Sequence, residues 1–189
     1  MRLANDTIAV KLGPVALTLR ATLRAAFTLE RRYEGFGTLS QAIALGEYGA
    51  FADLIEATCE DPLAGEALIQ QLAAHNLIEN IIELRDPLLR LVTMLAGADE
   101  ENTNTAGPKI TFEEYFTQLY RIGTGWLSWT PDQTWNASPA EIIEAYKGRR
   151  EMLAAIFGKS DNGKSHDLTK MDKDERKRLW ERLRAKQCQ

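Results

Sequence analysis

Apolar and polar residues alternate strictly only at the start of this chain; elsewhere the apolar positions recur at helical spacing. In TIAVKLGPVALTLRAT, Ile8, Val10 and Leu12 and then Val15, Leu17 and Leu19 take every second place around Gly13-Pro14. Period-two alternation about a turn predicts a short β-hairpin. A lone hairpin is marginal in water, so the elements that follow have to cover its apolar face.

Those elements read as helices. Thr22 is placed to cap a helix carrying Leu23, Ala26, Phe27 and Tyr33 and ended by Gly35 and Gly37. Thr38 with Gln41 has the spacing of a capping box for a short helix stopping at Gly46. Phe51, Leu54, Ile55, Thr58 and Cys59 fall at i, i+3, i+4, i+7 and i+8, one apolar stripe on which Cys59 reads as a small buried hydrophobe. Asp61-Pro62 breaks that helix, another is expected from about Gly65 to His75, and Asn76 suits the left-handed position beyond its end. Ile78 to Ala96 is strongly apolar but contains Pro87. A proline inside a helix costs about 3 kcal/mol, which favours a fresh helix start with Asp86 as N-cap over a kink.

Residues 97–109, GADEENTNTAGPK, hold no large apolar side chain and many turn formers, the signature of a linker. Beyond it Thr111 and Glu114 form a further capping box, and Phe112, Tyr115, Phe116, Leu119, Ile122 and Trp126 make the next apolar face. Gly123 and Gly125 cost that helix about 1 kcal/mol each relative to alanine, which implies a close approach by another segment or a bend. The bend leads into WLSWTPDQTWNASPAE, residues 126–141, where Thr130-Pro131 with Gln133 and Ser138-Pro139 with Glu141 each spell an N-cap, a proline at the first helical position and a capping-box partner. Ile142, Ile143, Tyr146, Leu153, Ile156 and Phe157 then carry a last core helix to Gly158. The predicted fold is mainly α, in two small helical modules of which the first begins with the hairpin: 1–98, a linker at 99–109, a Trp-rich module at 110–158 and a basic, partly helical tail at 159–189.

Composition adds limits. With 44 % hydrophobic and 26 % charged residues, the 189-residue chain can build an ordinary globular core. No apolar run approaches the roughly 20 residues of a membrane span, and MRLANDTIAV lacks a signal-peptide core, so a cytoplasmic, membrane-free location is expected. Cys59 and Cys188 lie far apart, which suits a reducing compartment and neither a disulfide scaffold nor a zinc site. Basic and acidic residues number 8 and 12 in 1–98, 5 and 9 in 99–158, and 10 and 6 in 159–189: two acidic bodies with a basic tail.

Candidate chemistry is sparse. Gly158 to Ser165, GKSDNGKS, satisfies the pattern G-x-x-x-x-G-K-[ST], but a phosphate loop needs a strand before it and a helix after it, and this segment reads as an exposed linker. His75 and His166 lie in separate regions outside any ligand-spaced cluster. Glu113, Glu114, Glu141 and Glu144 are explained by helix N-termini and exposed faces. No enzyme, cofactor or metal site is expected. Nucleic-acid binding is not favoured either, because the acidic bodies repel phosphate, although residues 170–186 hold eight basic against four acidic side chains. Trp126, Trp129 and Trp135, with Leu127 and Tyr120, are the candidate partner-binding residues, and packing into the core competes with that role for each.

Two segments carry a family resemblance. GPVALTLRATLRAAFTLERRYEGFGTLSQAIALG, continuing to LLRLVTMLAG, resembles the gene-transfer-agent-type phage tail assembly chaperones, in which a small hairpin leads into helices. ITFEEYFTQLYRIGTGWLSWTPDQTWNASPAE is similar to the small tail chaperone module encoded beside them, marked by a Gly-x-Gly-Trp-like run, then W-x-P-D-x-x-W and a Thr/Ser-Pro-x-Glu helix start. Together they cover about residues 8–158. This chain departs from the family in carrying both modules, an arrangement that resembles the extended chaperones of long-tailed phages. The resemblance implies a cytoplasmic assembly chaperone of a phage, prophage or gene transfer agent, absent from the mature particle. Its partners would be the tape-measure protein and tail tube subunits, with homo-oligomers left open. The alternatives are a structural tail component, such as a tube or tube-end protein, and a helical nucleic-acid-binding or regulatory protein using the basic tail.

Overall fold

A computed structural model describes residues 7–74, 76–97 and 111–157. The chain divides into two compact units, Met1–Met152 and Leu153–Gln189; the described residues of the second are 153–157. The linker 99–109, the phosphate-loop pattern, both histidines and the basic tail lie outside the described residues.

The fold is mainly helical and begins with the expected hairpin. β1 (Thr7–Leu12) pairs antiparallel with β2 (Val15–Arg20) in a register running from Thr7↔Arg20 to Leu12↔Val15. The register leaves Gly13-Pro14 as a two-residue turn, and Gly13 takes φ +56, where a side chain is strained. Val10, Leu12 and Leu19 are buried and Ala9, Lys11, Ala16 and Thr18 exposed, so the alternation places one face inward, against helices that follow.

Those helices are α1 (Leu23–Tyr33), α2 (Phe36–Leu45), α3 (Tyr48–Thr58), α4 (Pro62–Ala73) and α5 (Leu77–Leu95). Thr22 caps α1, its hydroxyl accepting from the Ala25 amide at 3.1 Å. Arg32 and Tyr33 at the end of α1 reach Asp53 of α3 at 2.6 and 2.7 Å. Burial, and then the hydrogen bond to the Asp53 carboxylate, push the Tyr33 hydroxyl up from 10.0 to about 12.

Four local expectations are corrected. Thr38 and Gln41 form no capping box, because α2 already starts at Phe36. Phe36 is 4 % exposed and sets its ring edge-on to Phe112, centroids 5.1 Å apart, while Gly35 at φ 128 allows the sharp passage out of α1. Cys59 is half-buried and lies beyond α3, where the chain straightens to bridge Leu19; its thiol sits 3.1 Å from the Asp61 carbonyl. α4 begins at Pro62 rather than near Gly65, since Asp61 caps it by accepting from the Leu63 amide at 3.0 Å. Pro87 neither stops nor restarts α5, which runs through it. Leu84, Leu88, Leu91, Val92 and Leu95 are all buried along one stripe that spans the proline. Burial of each such side chain contributes roughly 1.5–3 kcal/mol, which outweighs the proline's cost when the helix stays whole. Asn76 is left-handed, as expected, at φ 56, and its place is the start of α5; Asn80, one turn on, donates to the Gln71, Leu72 and Ala74 carbonyls that end α4.

The later helices are α6 (Phe112–Arg121), α7 (Pro131–Asn136) and α8 (Pro139–Phe157). They share the core of the earlier ones: Phe116, Leu119 and Ile142 join Leu23, Leu29, Leu39 and Leu88 in one buried cluster. The segments before and after 99–109 therefore meet across a common core, with α6 and α7 packed on α1.

Candidate functional site

Each turn of the Trp-rich corner has a local cause. α6 opens on its capping box, with the Glu114 amide 3.2 Å from the Thr111 hydroxyl and the Thr111 amide 3.0 Å from the Glu114 carboxylate. Its end widens into one π turn, Ile122–Trp126, closed by the Leu127 amide on the Ile122 carbonyl at 3.0 Å. Gly123 is buried there, and a Cβ on it would stand 2.5 Å from Thr134 Cγ2, so α7 can lie this close only because the side chain is missing. Gly125 faces open space. The left-handed Ser128, at φ 59, turns the chain so that the Trp129 amide bonds the Gly123 carbonyl at 3.0 Å.

Two more capping boxes then fire in succession. Thr130 and Gln133 open α7 at 3.2 and 2.9 Å, and Ser138 and Glu141 open α8 at 3.1 and 2.9 Å. Between them the Ala137 carbonyl accepts from the Leu23 amide at 2.8 Å, giving a partner to one of the donors that the first turn of α1 leaves unpaired. Glu141 does double duty: Nη2 of Arg20, at the end of β2, donates to both of its oxygens at 2.9 and 3.0 Å. Arg20, Trp129, Gln133, Asn136, Glu141 and Glu144 line an open groove of about 630 Å³ beside this pair.

The candidate partner-binding residues separate into two groups. Tyr120 and Trp135 come together, ring centroids 5.1 Å apart, and Trp135 also lies 5.6 Å from Phe27 with the Arg24 guanidinium 5.8 Å above it. These contacts brace α7 on α1. Leu127 and Trp129 are half-buried against the same core, and Trp129 keeps one side on the groove. Trp126 is different: it is 57 % exposed and its ring meets Tyr146 of α8 edge-on, centroids 6.0 Å apart, with Arg150 above the tyrosine.

Arg20, Tyr146 and Arg150 were not among the candidates. Arg20 stands 121 residues from Glu141, beyond any spacing rule, whereas Tyr146 was visible as one of the apolar positions of the last helix. Glu144, which pairs with Lys147, and Glu114 and Glu141 occupy the helix-start and surface positions assigned to them. Among the described residues no three His, Cys, Asp or Glu side chains gather where they could hold a metal ion, and no helix is long and apolar enough to cross a membrane. No family model, characterised protein or solved structure matches this chain.

Proposed function

We propose that this protein is an assembly chaperone of a phage or phage-like tail, which holds the tape-measure protein in the bacterial cytoplasm and recruits tail tube subunits to it. The observation that carries the reading is the exposure of Trp126. Within the motif that resembles the tail chaperone module, Gly123, Thr130, Gln133, Thr134, Ser138 and Glu141 all serve the turn itself, and Trp135 braces it. Trp126, more than half exposed beside Tyr146, is the tryptophan of the motif that the fold leaves facing outward, whereas Trp129 and Trp135 are half-buried. A large aromatic with open surface on a locally rigid turn is the kind of group that anchors a partner at low entropic cost.

Capture of an apolar helix face by such an anchor needs no covalent chemistry, and the acidic charge of residues 1–158 keeps the carrier soluble. Co-expression with the tape-measure protein tests the reading. A soluble complex should form and elute together, and Trp126→Ser should abolish it while leaving thermal unfolding unchanged. If the tape-measure protein stays insoluble and no complex elutes, the chaperone role is lost. Mass spectrometry of mature particles makes the same decision from the other side: a stoichiometric amount of this chain would make it a structural tail component.

A further inference from the structure

A second outward apolar surface lies away from the Trp corner. In the first half of α5, Ile78 is 75 % and Ile82 is 55 % exposed, one helical turn apart. Ile81 sits beside them and touches the end of α2, its Cγ2 3.1 Å from where a Cβ on Gly46 would be; Leu45, next to that glycine, is 71 % exposed. The strip therefore runs from the end of α2 across α5. Both isoleucines are on the side of α5 away from its buried stripe of Leu84, Leu88 and Leu91, so the internal core has no use for them.

The charges beside the strip are mainly acidic. Glu79 and Glu83 form the next row on α5, one turn apart, and Asp86 follows Ile82 by four residues. All three are exposed. Glu79 accepts from the neutral Asn76 side-chain amide at 3.0 Å, and among the described residues neither Glu79 nor Glu83 has an ion pair. On the far side Arg85 reaches Asp86 at 3.9 Å. Two copies of this face packed with their α5 helices antiparallel would set the Glu79 and Glu83 row against itself, which disfavours a symmetric self-association through it.

We propose that this strip is a docking face for an amphipathic helix of another protein, one with aliphatic side chains at i, i+3 and i+4 and lysine or arginine along one flank. The isoleucines and Leu45 take the aliphatic side, and Glu79, Glu83 and Asp86 take the basic flank. The face is separate from Trp126, so it stands or falls independently of the assembly role.

The test uses the full chain and a labelled synthetic peptide of about 16 residues, long enough to form a helix on binding, with leucines at that spacing and lysines beside them. A matched peptide with glutamates in place of lysines is the control. The lysine peptide should bind saturably and weaken as salt is raised, whereas the glutamate peptide should not bind. Ile78→Glu and Ile82→Glu, both at exposed positions, should each raise Kd about tenfold or more with unchanged thermal unfolding. Leu63→Glu, on α4 and 77 % exposed, should leave Kd unchanged. Absence of saturable binding, equal binding of the two peptides, or equal weakening by Leu63→Glu overturns the proposal. So does a dimer in light scattering that Ile78→Glu dissolves, since the face would then belong to a second copy.

Discussion

Replacing Gly123 with alanine sets two effects of opposite sign against each other. In an ordinary exposed helix the change stabilises by about 1 kcal/mol, because alanine loses less backbone freedom on folding. Here the new methyl would stand 2.5 Å from Thr134 Cγ2, 2.7 Å from its Oγ1 and 3.1 Å from its Cβ. Thr134 is completely buried and β-branched, and its hydroxyl is tied to the Thr130 carbonyl at 3.0 Å, so it has no free rotamer to escape into. α7 has to move instead, against the bracing of Trp135 on Tyr120 and Phe27. Overpacking typically costs 1–3 kcal/mol, and a stiff partner puts this site near the upper end. Subtracting the gain leaves a net loss of about 2 kcal/mol, a fall in Tm of roughly 4–8 °C for a chain of this size. Urea unfolding followed by tryptophan emission measures it directly. The second half of the test is Thr134→Ala, which removes both clashing atoms: combined with Gly123→Ala it should be well short of the sum of the two single losses. A Gly123→Ala protein as stable as the parent, or additive losses in the double variant, would refute the close-packing account of this glycine.

Three further outcomes follow from particular contacts. Pro87→Ala should raise stability by about 2 kcal/mol, the roughly 3 kcal/mol cost of an interior proline less about 1 kcal/mol of lost rigidity in the unfolded chain; unchanged urea midpoints would show the helix already relaxed around the ring. Ser138→Ala should cost about 1–2 kcal/mol, since the serine is buried and its hydroxyl holds the Glu141 amide; Ser138→Thr, which keeps the hydroxyl, should recover most of that loss. Alkaline titration followed by tyrosine absorbance should show one of the five tyrosines ionising near 12, and Tyr33→Phe should remove that phase. Because the folded value lies above the unfolded 10.0, the neutral hydroxyl's contribution to stability is intact below about pH 10 and is lost between there and about 12. Tyr33→Phe should therefore flatten the fall in stability over that window.

Much of the corner was legible beforehand because its causes are local. A capping hydroxyl, a proline at the first helical position and an acid or amide three residues on act within a single turn, and the boxes at Thr111, Thr130 and Ser138 all close as the spacing requires. The hairpin was equally readable, since strict alternation about Gly13-Pro14 admits one register. The box at Thr38 failed by the same logic reversed: its spacing is right, but Phe36 gains more from the rings of Phe112 and Phe116, which arrive from 76 and more residues away.

What the sequence by itself decided, then, is where chain segments start and stop whenever the deciding atoms are a turn apart. Only the tertiary structure decided that α5 passes through Pro87, that Arg20 meets Glu141, that helices on both sides of the linker share one core, and which aromatic of the corner faces out. Burial and long-range pairing are properties of surfaces brought together from distant segments, and each is worth as much as a cap or a proline penalty. Periodicity names the residues that can be buried, but the packing of neighbours selects among them; that is why Trp135 lies braced on Tyr120 and Phe27 while Trp126, from the same short stretch, stays open.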